Sequence, residues 1–422
     1  MRAKFFFISL FCLVFSFGII LDSRELSIQQ LEERKKLDLE RQKRINKKGK
    51  KTFQKEITVT TEIVFISKER ENPPVLSNLD PILEDEGFYG VKLAIEDNLT
   101  TGRFLGHDYK FEFHKVTMEE SLETEFKKLL KKGKKFFVVD LNEGELLSLM
   151  KIQGVEDTLV FNTRAKNQSL RNENCRKNFF HITPSYSILS DALTQYLVKK
   201  KWKKWFLVTG PDKNDKLYSS ALKNSAKKFN IKIKEEKIWD FTADLRRTAG
   251  KEVPIFTKSS NYDVLVVADE KGEFGEYLAY RTWDPRPIVG TQGLKPNSWH
   301  RTHEQWGATQ MQNRFRRESG RWMTEVDYHA WTAVRAIGES ISRTQTNDVK
   351  KIQKYLLGDK FGLGAYKGVK VSFRSWNGQL RQPVLLAAPR SMVSVSPQEG
   401  YIHPKSELDT LGEDQPESAC KF

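Results

Sequence analysis

The sequence is poor in the groups and motifs that usually carry catalysis. Three cysteines occur in 422 residues. No Gly-x-Ser-x-Gly is present, and no nucleophile is flanked by a plausible base. Gly362-Leu363-Gly364 and Gly368 lack the preceding buried strand and following long helix that a dinucleotide fingerprint needs, and Gly210-Pro211-Asp212-Lys213 is not a phosphate loop. His300, His303 and Glu304 run in the order His-x-x-His-Glu. A zinc-facing helix with two ligands and a base needs His-Glu-x-x-His, so these residues read as an exposed polar turn beside Trp299 and Trp306. The acidic run Asp269, Glu270, Glu273, Glu276 lacks the alternating ligands and central glycine of a calcium loop; it reads as a solvated helix start. The expectation is a protein that is not an enzyme, with no metal site and no cofactor.

Apolar runs are equally scarce. A composition of 38% hydrophobic and 30% charged residues fits a soluble globular protein and excludes a multi-span membrane protein. The exception lies at the start, where a short basic stretch is followed by the uncharged run 5–21. Residues 1–24 therefore read as a signal peptide or an N-terminal anchor, and export follows in both cases. Leu10-Phe11 stand where a lipoprotein cysteine at Cys12 would need small residues. Residues 25–56 are a charged spacer with too few apolar positions for a core face. The net charge is +16; lysine and arginine crowd this spacer, and a second basic stretch runs from 301 to 321. No RNA-binding signature, helix-turn-helix spacing or zinc-finger pattern accompanies it, so the reading is solvated surface and basic stalk with no nucleic-acid partner. Beyond Cys12, Cys175 and Cys420 are the only pair. In an oxidising compartment a bridge would tie the tail to the first lobe; otherwise they are two unrelated thiols.

What is present is an alternation of short apolar strands and amphipathic helices. Strands are expected at 57–66, 107–116, 136–141 and 158–161, with helices from Phe88 onward and at 118–130 and 143–152. After Thr183-Pro184 the same grammar restarts: strands at 205–208, 231–239, 262–268 and 288–290, helices at 188–196, 218–229 and 274–280. A long helix follows at 327–343 and a shorter one at 349–357, then a hairpin of 369–373 with 382–386 about Asn377-Gly378, a pair that tolerates positive φ at both positions. Repeated strand-helix units argue for parallel sheets covered on both faces. The expected fold is α/β, two doubly wound lobes joined by a multi-crossing hinge. The first lobe is 57–183 with about 304–345, the second 184–303 with about 346–395, and 396–422 is a C-terminal tail.

Several motifs then resemble one family. They are Thr183-Pro184-Ser185; Tyr262-Asp263-Val264 with Val267-Ala268-Asp269-Glu270; Trp283-Asp284-Pro285-Arg286-Pro287; Gly290-Thr291-Gln292-Gly293-Leu294; and Glu304-Gln305-Trp306-Gly307-Ala308-Thr309-Gln310. Further on come Asp327-Tyr328-His329-Ala330-Trp331, Phe373-Arg374-Ser375-Trp376-Asn377-Gly378-Gln379 and Ser394-Val395-Ser396-Pro397-Gln398-Glu399-Gly400. From about residue 57 to the end, the chain resembles the type I periplasmic binding proteins. More narrowly, it is similar to the substrate-binding protein of the ABC transporter system associated with pyrroloquinoline quinone (PQQ)-dependent alcohol dehydrogenases. The resemblance implies a hinged two-lobe fold, residence in the periplasm, a small-molecule ligand and an ABC permease partner, with a PQQ-dependent dehydrogenase as a further possible partner.

In open α/β sheets ligands bind beyond the carboxyl ends of the strands. The ligand-binding candidates are accordingly Asp140, Asn142, Asn162, Thr163 and Arg164 in the first lobe, and Tyr186, Asp269 and Glu270 at the crossing and in the second, with Trp283 as an aromatic candidate. Arg164 could clamp a carboxylate, and Asp269 or Glu270 could accept from an amine, hydroxyl or cation. Loops reading Asp140-Leu141-Asn142 and Asn162-Thr163-Arg164 depart from the small hydroxyl- and glycine-containing loops with which amino-acid-binding relatives meet their ligand, which argues against a free branched-chain amino acid.

Overall fold

The computed structural model describes residues 55–71, 82–240, 245–259 and 261–422. The apolar run and nearly all of the spacer lie outside the described residues. Among the described residues no helix is long and apolar enough to cross a membrane.

The first sheet contains β1 (Val59–Lys68), β2 (His107–Val116), β3 (Phe136–Asp140), β4 (Leu159–Asn162) and β5 (Phe179–His181). Its order is β2-β1-β3-β4-β5, and every pairing is parallel. Side chains alternate between faces with period two. In β1, Ile63 and Phe65 therefore enter one core while Val64 and Ile66 enter the other. β3 is buried throughout, as a strand covered on both faces must be. On one face lie α2 (Leu122–Lys131) and α3 (Glu143–Leu149), on the other α1 (Phe88–Leu105).

The second sheet has β6 (Lys204–Thr209), β7 (Lys232–Ile238), β8 (Val264–Ala268) and β9 (Ile288–Gly290) in parallel order β7-β6-β8-β9. One face is covered by α4 (Tyr186–Lys199) and α5 (Lys213–Lys228), the other by α6 (Leu245–Phe256). An antiparallel sheet of β10 (Lys295–Asn297), β14 (Val384–Ala388) and β15 (Ser391–Ser396) completes this lobe, with Val384 and Leu386 in the same core as α4 and β6.

Between them the chain returns to the first lobe with α7 (Ala308–Ser319), α8 (Glu325–Thr344), α9 (Val349–Leu356) and the small sheet β11 (Leu363–Gly364), β12 (Lys370–Phe373), β13 (Leu380–Arg381). Gly90 on α1 lets α8 approach, since a Cβ there would sit 2.1 Å from the Asp327 carbonyl oxygen. This layout differs from the expected division at 346–381. Ile352, Leu356, Phe361, Val371, Phe373 and Leu380 share one core with Ile63 and Phe65, so this stretch belongs to the first lobe. The expected hairpin is cut short for the same reason: beyond Asn377-Gly378, β12 pairs only with the two-residue β13, and Gln382-Pro383 carries the chain into the second lobe before β14. The helix expected at 274–280 is a single 3₁₀ turn, Gly275–Tyr277.

Three crossings thus join the lobes, near Thr183, Ser298 and Gln382. They are laced together. Gln382 Nε2 donates to the Ile182 carbonyl at 2.7 Å, and Lys367 Nζ donates to the carbonyls of Ser298 and, at 3.2 Å, Pro383. The disulfide Cys175–Cys420, with Cα atoms 5.7 Å apart, ties the tail to the first lobe. Leu411 of the tail is meanwhile buried in the second-lobe core.

Candidate functional site

The carboxyl ends of β1, β3 and β4 bring together Arg70, Asp140 and Arg164. The Asp140 carboxylate is buried and accepts from Arg164 Nε and, at 3.2 Å, Arg164 Nη2, with Arg70 Nη2 at 3.0 Å. Arg164 Nη2 also donates to Glu86, just ahead of α1. Burial works against the Asp140 charge, but the two guanidiniums outweigh it and hold the carboxyl below its ordinary range. Burial likewise opposes the Arg164 cation, which Asp140 and Glu86 hold firmly charged. Arg164 is therefore engaged within its own lobe.

The two sheet edges meet across the cleft. Lys166, two residues beyond Arg164, places Nζ 3.0 Å from Glu270 Oε2 at the end of β8. Tyr186 OH donates to the same oxygen at 3.3 Å, and its ring lies 6.0 Å from the ammonium. Despite burial, Glu270 and Glu325 hold the Lys166 ammonium above the ordinary lysine range. A second interlobe pair, Glu143 with Lys213 at 2.8 Å, is largely exposed on the lysine side and contributes little. Asp215, on α5, accepts the Glu270 N–H at 2.7 Å; burial pushes its carboxyl up to about 6, against the pull of the N–H donors of Glu270 and Asp212.

Asp140, Arg164, Tyr186 and Glu270 are thus gathered at the cleft. Asn142, Asn162, Thr163 and Asp269 stand at strand ends but spend their polar atoms locally. Asn142 forms a capping box with Glu145 at the start of α3. Asn162 Oδ1 accepts from the N–H groups of Arg164 and Ala165, Thr163 Oγ1 donates to the Val139 carbonyl, and Asp269 accepts from the N–H groups of Glu273, Phe274 and Gly275. Trp283 lies apart. Its N–H donates to Thr257 Oγ1 beyond the end of α6, its ring is half exposed beneath Lys258, and it precedes β9, on the side of the sheet opposite the cleft. Arg70, Glu86 and Lys166 escaped the sequence reading. Lys166 and Arg70 follow strands, as that reading requires of a site residue, whereas Glu86 reaches the site only through the fold.

His303 is not in an exposed turn: it is 2% exposed, its Nε2 is 2.7 Å from the Tyr366 carbonyl, and burial pushes it down. Among the described residues no group of three or more His, Cys, Asp or Glu could hold a metal ion. At the hinge, Ser298 Oγ lies 2.6 Å from His329 Nε2 and donates to Glu325 Oε1 at 2.8 Å. Burial pushes the Lys367 ammonium down to about 7, with Glu325 pulling the other way. Between pH 7 and the unfolded lysine range the unfolded chain binds more protons at this position, so stability rises with pH there. Relative to Lys367→Met, the wild type is expected to gain roughly 1 kcal/mol per pH unit from pH 7 to 9 in urea titrations.

Residues 86–248 match the periplasmic binding protein family. No curated protein matches the sequence. Among solved structures, a periplasmic binding protein from Burkholderia mallei is 16% identical over 86% of this chain and 98% of its own, with a TM-score of 0.62. A branched chain amino acid ABC transporter periplasmic ligand-binding protein from Burkholderia xenovorans is 15% identical over 79% and 95%, TM-score 0.63. A solute binding protein of an ABC transporter from Rhodopseudomonas palustris, in complex with 3,4-dihydroxy benzoic acid, is 11% identical over 78% and 93%, TM-score 0.58. At these identities the likeness defines the fold, which is that of the type I periplasmic binding proteins. Over residues 86–248 the chain is similar to that binding-protein family, and the solved structures share its fold.

Proposed function

We propose that the chain is the periplasmic solute-binding component of an ABC transport system in PQQ-linked alcohol oxidation, capturing a small ligand between two closing lobes and presenting it to a permease. The observation that carries the closing mechanism is the Lys166–Glu270–Tyr186 contact, which joins the carboxyl-terminal edges of the two sheets. The family match at 86–248 and the two-lobed fold support solute capture. The link to PQQ-dependent dehydrogenases is supported by the motif series alone, and periplasmic residence by the family match and the N-terminal run.

The cleft chemistry favours an uncharged, hydroxyl-bearing solute over a free amino acid. A free amino acid needs unengaged donors for its carboxylate and an unengaged acceptor for its amine. Arg164 is already shared between Asp140 and Glu86, and Glu270 already holds Lys166. Hydroxyl groups can enter such a network as donor and acceptor without separating its charges.

Small-angle scattering of the full chain tests this reading. Lys166→Met is expected to enlarge the ligand-free radius of gyration by releasing the lobes, and a member of a panel of C1–C4 alcohols, their acids, leucine and 3,4-dihydroxybenzoate is expected to compact the variant again. An unchanged radius in the variant together with no response to any solute contradicts it.

A second reading, an auxiliary protein that docks on a periplasmic PQQ-dependent dehydrogenase without solute transport, is favoured by the same self-paired cleft. The basic stretch 301–321 is the surface such docking would use, but its arginines are largely engaged within the chain. Arg314 pairs with Asp97 at 2.5 Å, Arg321 with Asp85 and Asp327 at 2.9 and 2.6 Å, and Arg301 donates to the Pro389 carbonyl.

A further inference from the structure

The amino-terminal edge of the second sheet, opposite the cleft, carries a concentration of lysine that the cleft does not use. β6 and β7 start side by side, with Lys204 paired to Lys232 in register. Lys234 follows two residues along β7, on the same face as Lys232. The loop from α4 into β6 adds Lys200, Lys201 and Lys203, and it is stitched to β7 by the Lys232 N–H donating to the Lys203 carbonyl at 2.9 Å. All but Lys204 are exposed.

None of these six ammonium groups has an ion pair among the described residues. Lys204 Nζ donates to the neutral Asn261 side chain at 2.8 Å, and Lys200 lies over the Tyr196 ring at 5.4 Å. The adjacent acid, Asp263, accepts the Lys204 backbone N–H at 2.9 Å, and Glu399 faces Lys199 at 3.9 Å. Lys232 and Lys204 repel the Lys234 charge enough to push its pKa down. β7 is an edge strand, and lysines on it would serve to block edge-to-edge pairing. That does not account for Lys200, Lys201 and Lys203, which lie on no strand. Lys201 also holds a left-handed turn (φ 63°), where glycine or asparagine is the usual residue.

We propose that this surface binds the anionic phospholipid headgroups of a membrane. Protein interfaces are depleted in lysine and enriched in arginine and aromatic residues, whereas this patch contains no arginine. Flexible, fully hydrated point charges without a fixed fork suit a diffuse layer of phosphates, to which each lysine near the surface adds attraction. The same chain carries the apolar run 5–21 and a basic spacer, so its sequence offers further attraction to the same surface. Because the patch and the cleft are at opposite edges of one sheet, headgroup binding leaves the cleft accessible.

The test uses the full chain incorporated in nanodiscs of phosphatidylcholine alone or of phosphatidylcholine with phosphatidylglycerol. Acylation rates of Lys200, Lys201, Lys203, Lys232 and Lys234 are read by peptide mass spectrometry, with Lys350 on the first lobe as reference. The patch lysines are expected to react several-fold more slowly on the phosphatidylglycerol discs. The difference should vanish at 1 M NaCl, where charge is screened over about 3 Å instead of about 10 Å at 0.1 M. Equal rates on both discs overturn the proposal. So does protection by soluble polyglutamate without protection by phosphatidylglycerol, which would assign the surface to an acidic protein. Attachment through the run 5–21 alone cannot produce lysine protection that depends on headgroup charge, and neither outcome depends on solute capture.

Discussion

Asp409→Ala is expected to lower the unfolding free energy by about 3–5 kcal/mol, the range for removing one partner from a buried charge cluster. The Asp409 carboxylate is 2% exposed. It accepts from Arg374 Nε at 2.9 Å and from Arg381 Nε at 2.9 and 2.8 Å. Both guanidiniums also lie near the Trp376 ring, at 5.3 and 5.1 Å. Burial already presses the Arg374 cation down and Asp409 counters it. Alanine would leave the Arg374 cation buried without a carboxylate, hydrogen-bonded to the carbonyls of Leu408, Leu411 and Glu413. The tail should loosen with it, because those carbonyls belong to the tail. Urea titration followed by tryptophan fluorescence measures the loss, and a change below about 1 kcal/mol, the value of an exposed pair, contradicts the account.

The second large effect concerns the disulfide. Replacing Cys175 and Cys420 together by serine is expected to cost about 2–5 kcal/mol, because the bridge closes a long loop and constrains the unfolded chain. The sequence separation is 245 residues. The bridge also has a local role. Beside it, Asn172 Oδ1 accepts from Ser418 Oγ at 3.0 Å and Asn172 Nδ2 donates to Glu413 at 2.6 Å. On the other lobe, the Gly412 N–H donates to Asp191 at 2.9 Å and Lys228 donates to the Gly412 carbonyl. The tail therefore spans both lobes. Limited proteolysis is expected to cut the serine variant within 412–422 before any cut appears in the sheets. A tail as resistant as in the oxidised wild type, with unchanged urea midpoint, contradicts this.

Much of the fold could be read from periodicity. Short runs such as Phe136–Asp140 and Val264–Ala268, buried on both faces, leave few alternatives to parallel strands. Elements without that pattern were harder. In α6, Gly250 and Pro254 disguise the helix. In α7 the arginines dominate, and only Ala308, Met311 and Phe315 mark the buried stripe. The switch of the chain between lobes at Gln382-Pro383 leaves no periodic trace, because it depends on which core takes the next apolar residue. At the site, strand-end logic finds Asp140, Arg164 and Glu270. It cannot tell that Asn142 and Asp269 are consumed by capping, nor that Glu86 approaches Arg164 from a different segment. Pairing across a cleft is a property of tertiary geometry, and the sequence holds only its candidates.

Solute capture is the central claim, and native mass spectrometry of the protein purified from its native cells tests it most directly. The account predicts a population carrying one retained small molecule, released on mild activation, with a mass fitting an uncharged hydroxyl-bearing compound. A homogeneous ligand-free mass that stays unchanged after incubation with the alcohol, acid and amino-acid panel would contradict it and favour the auxiliary-protein reading.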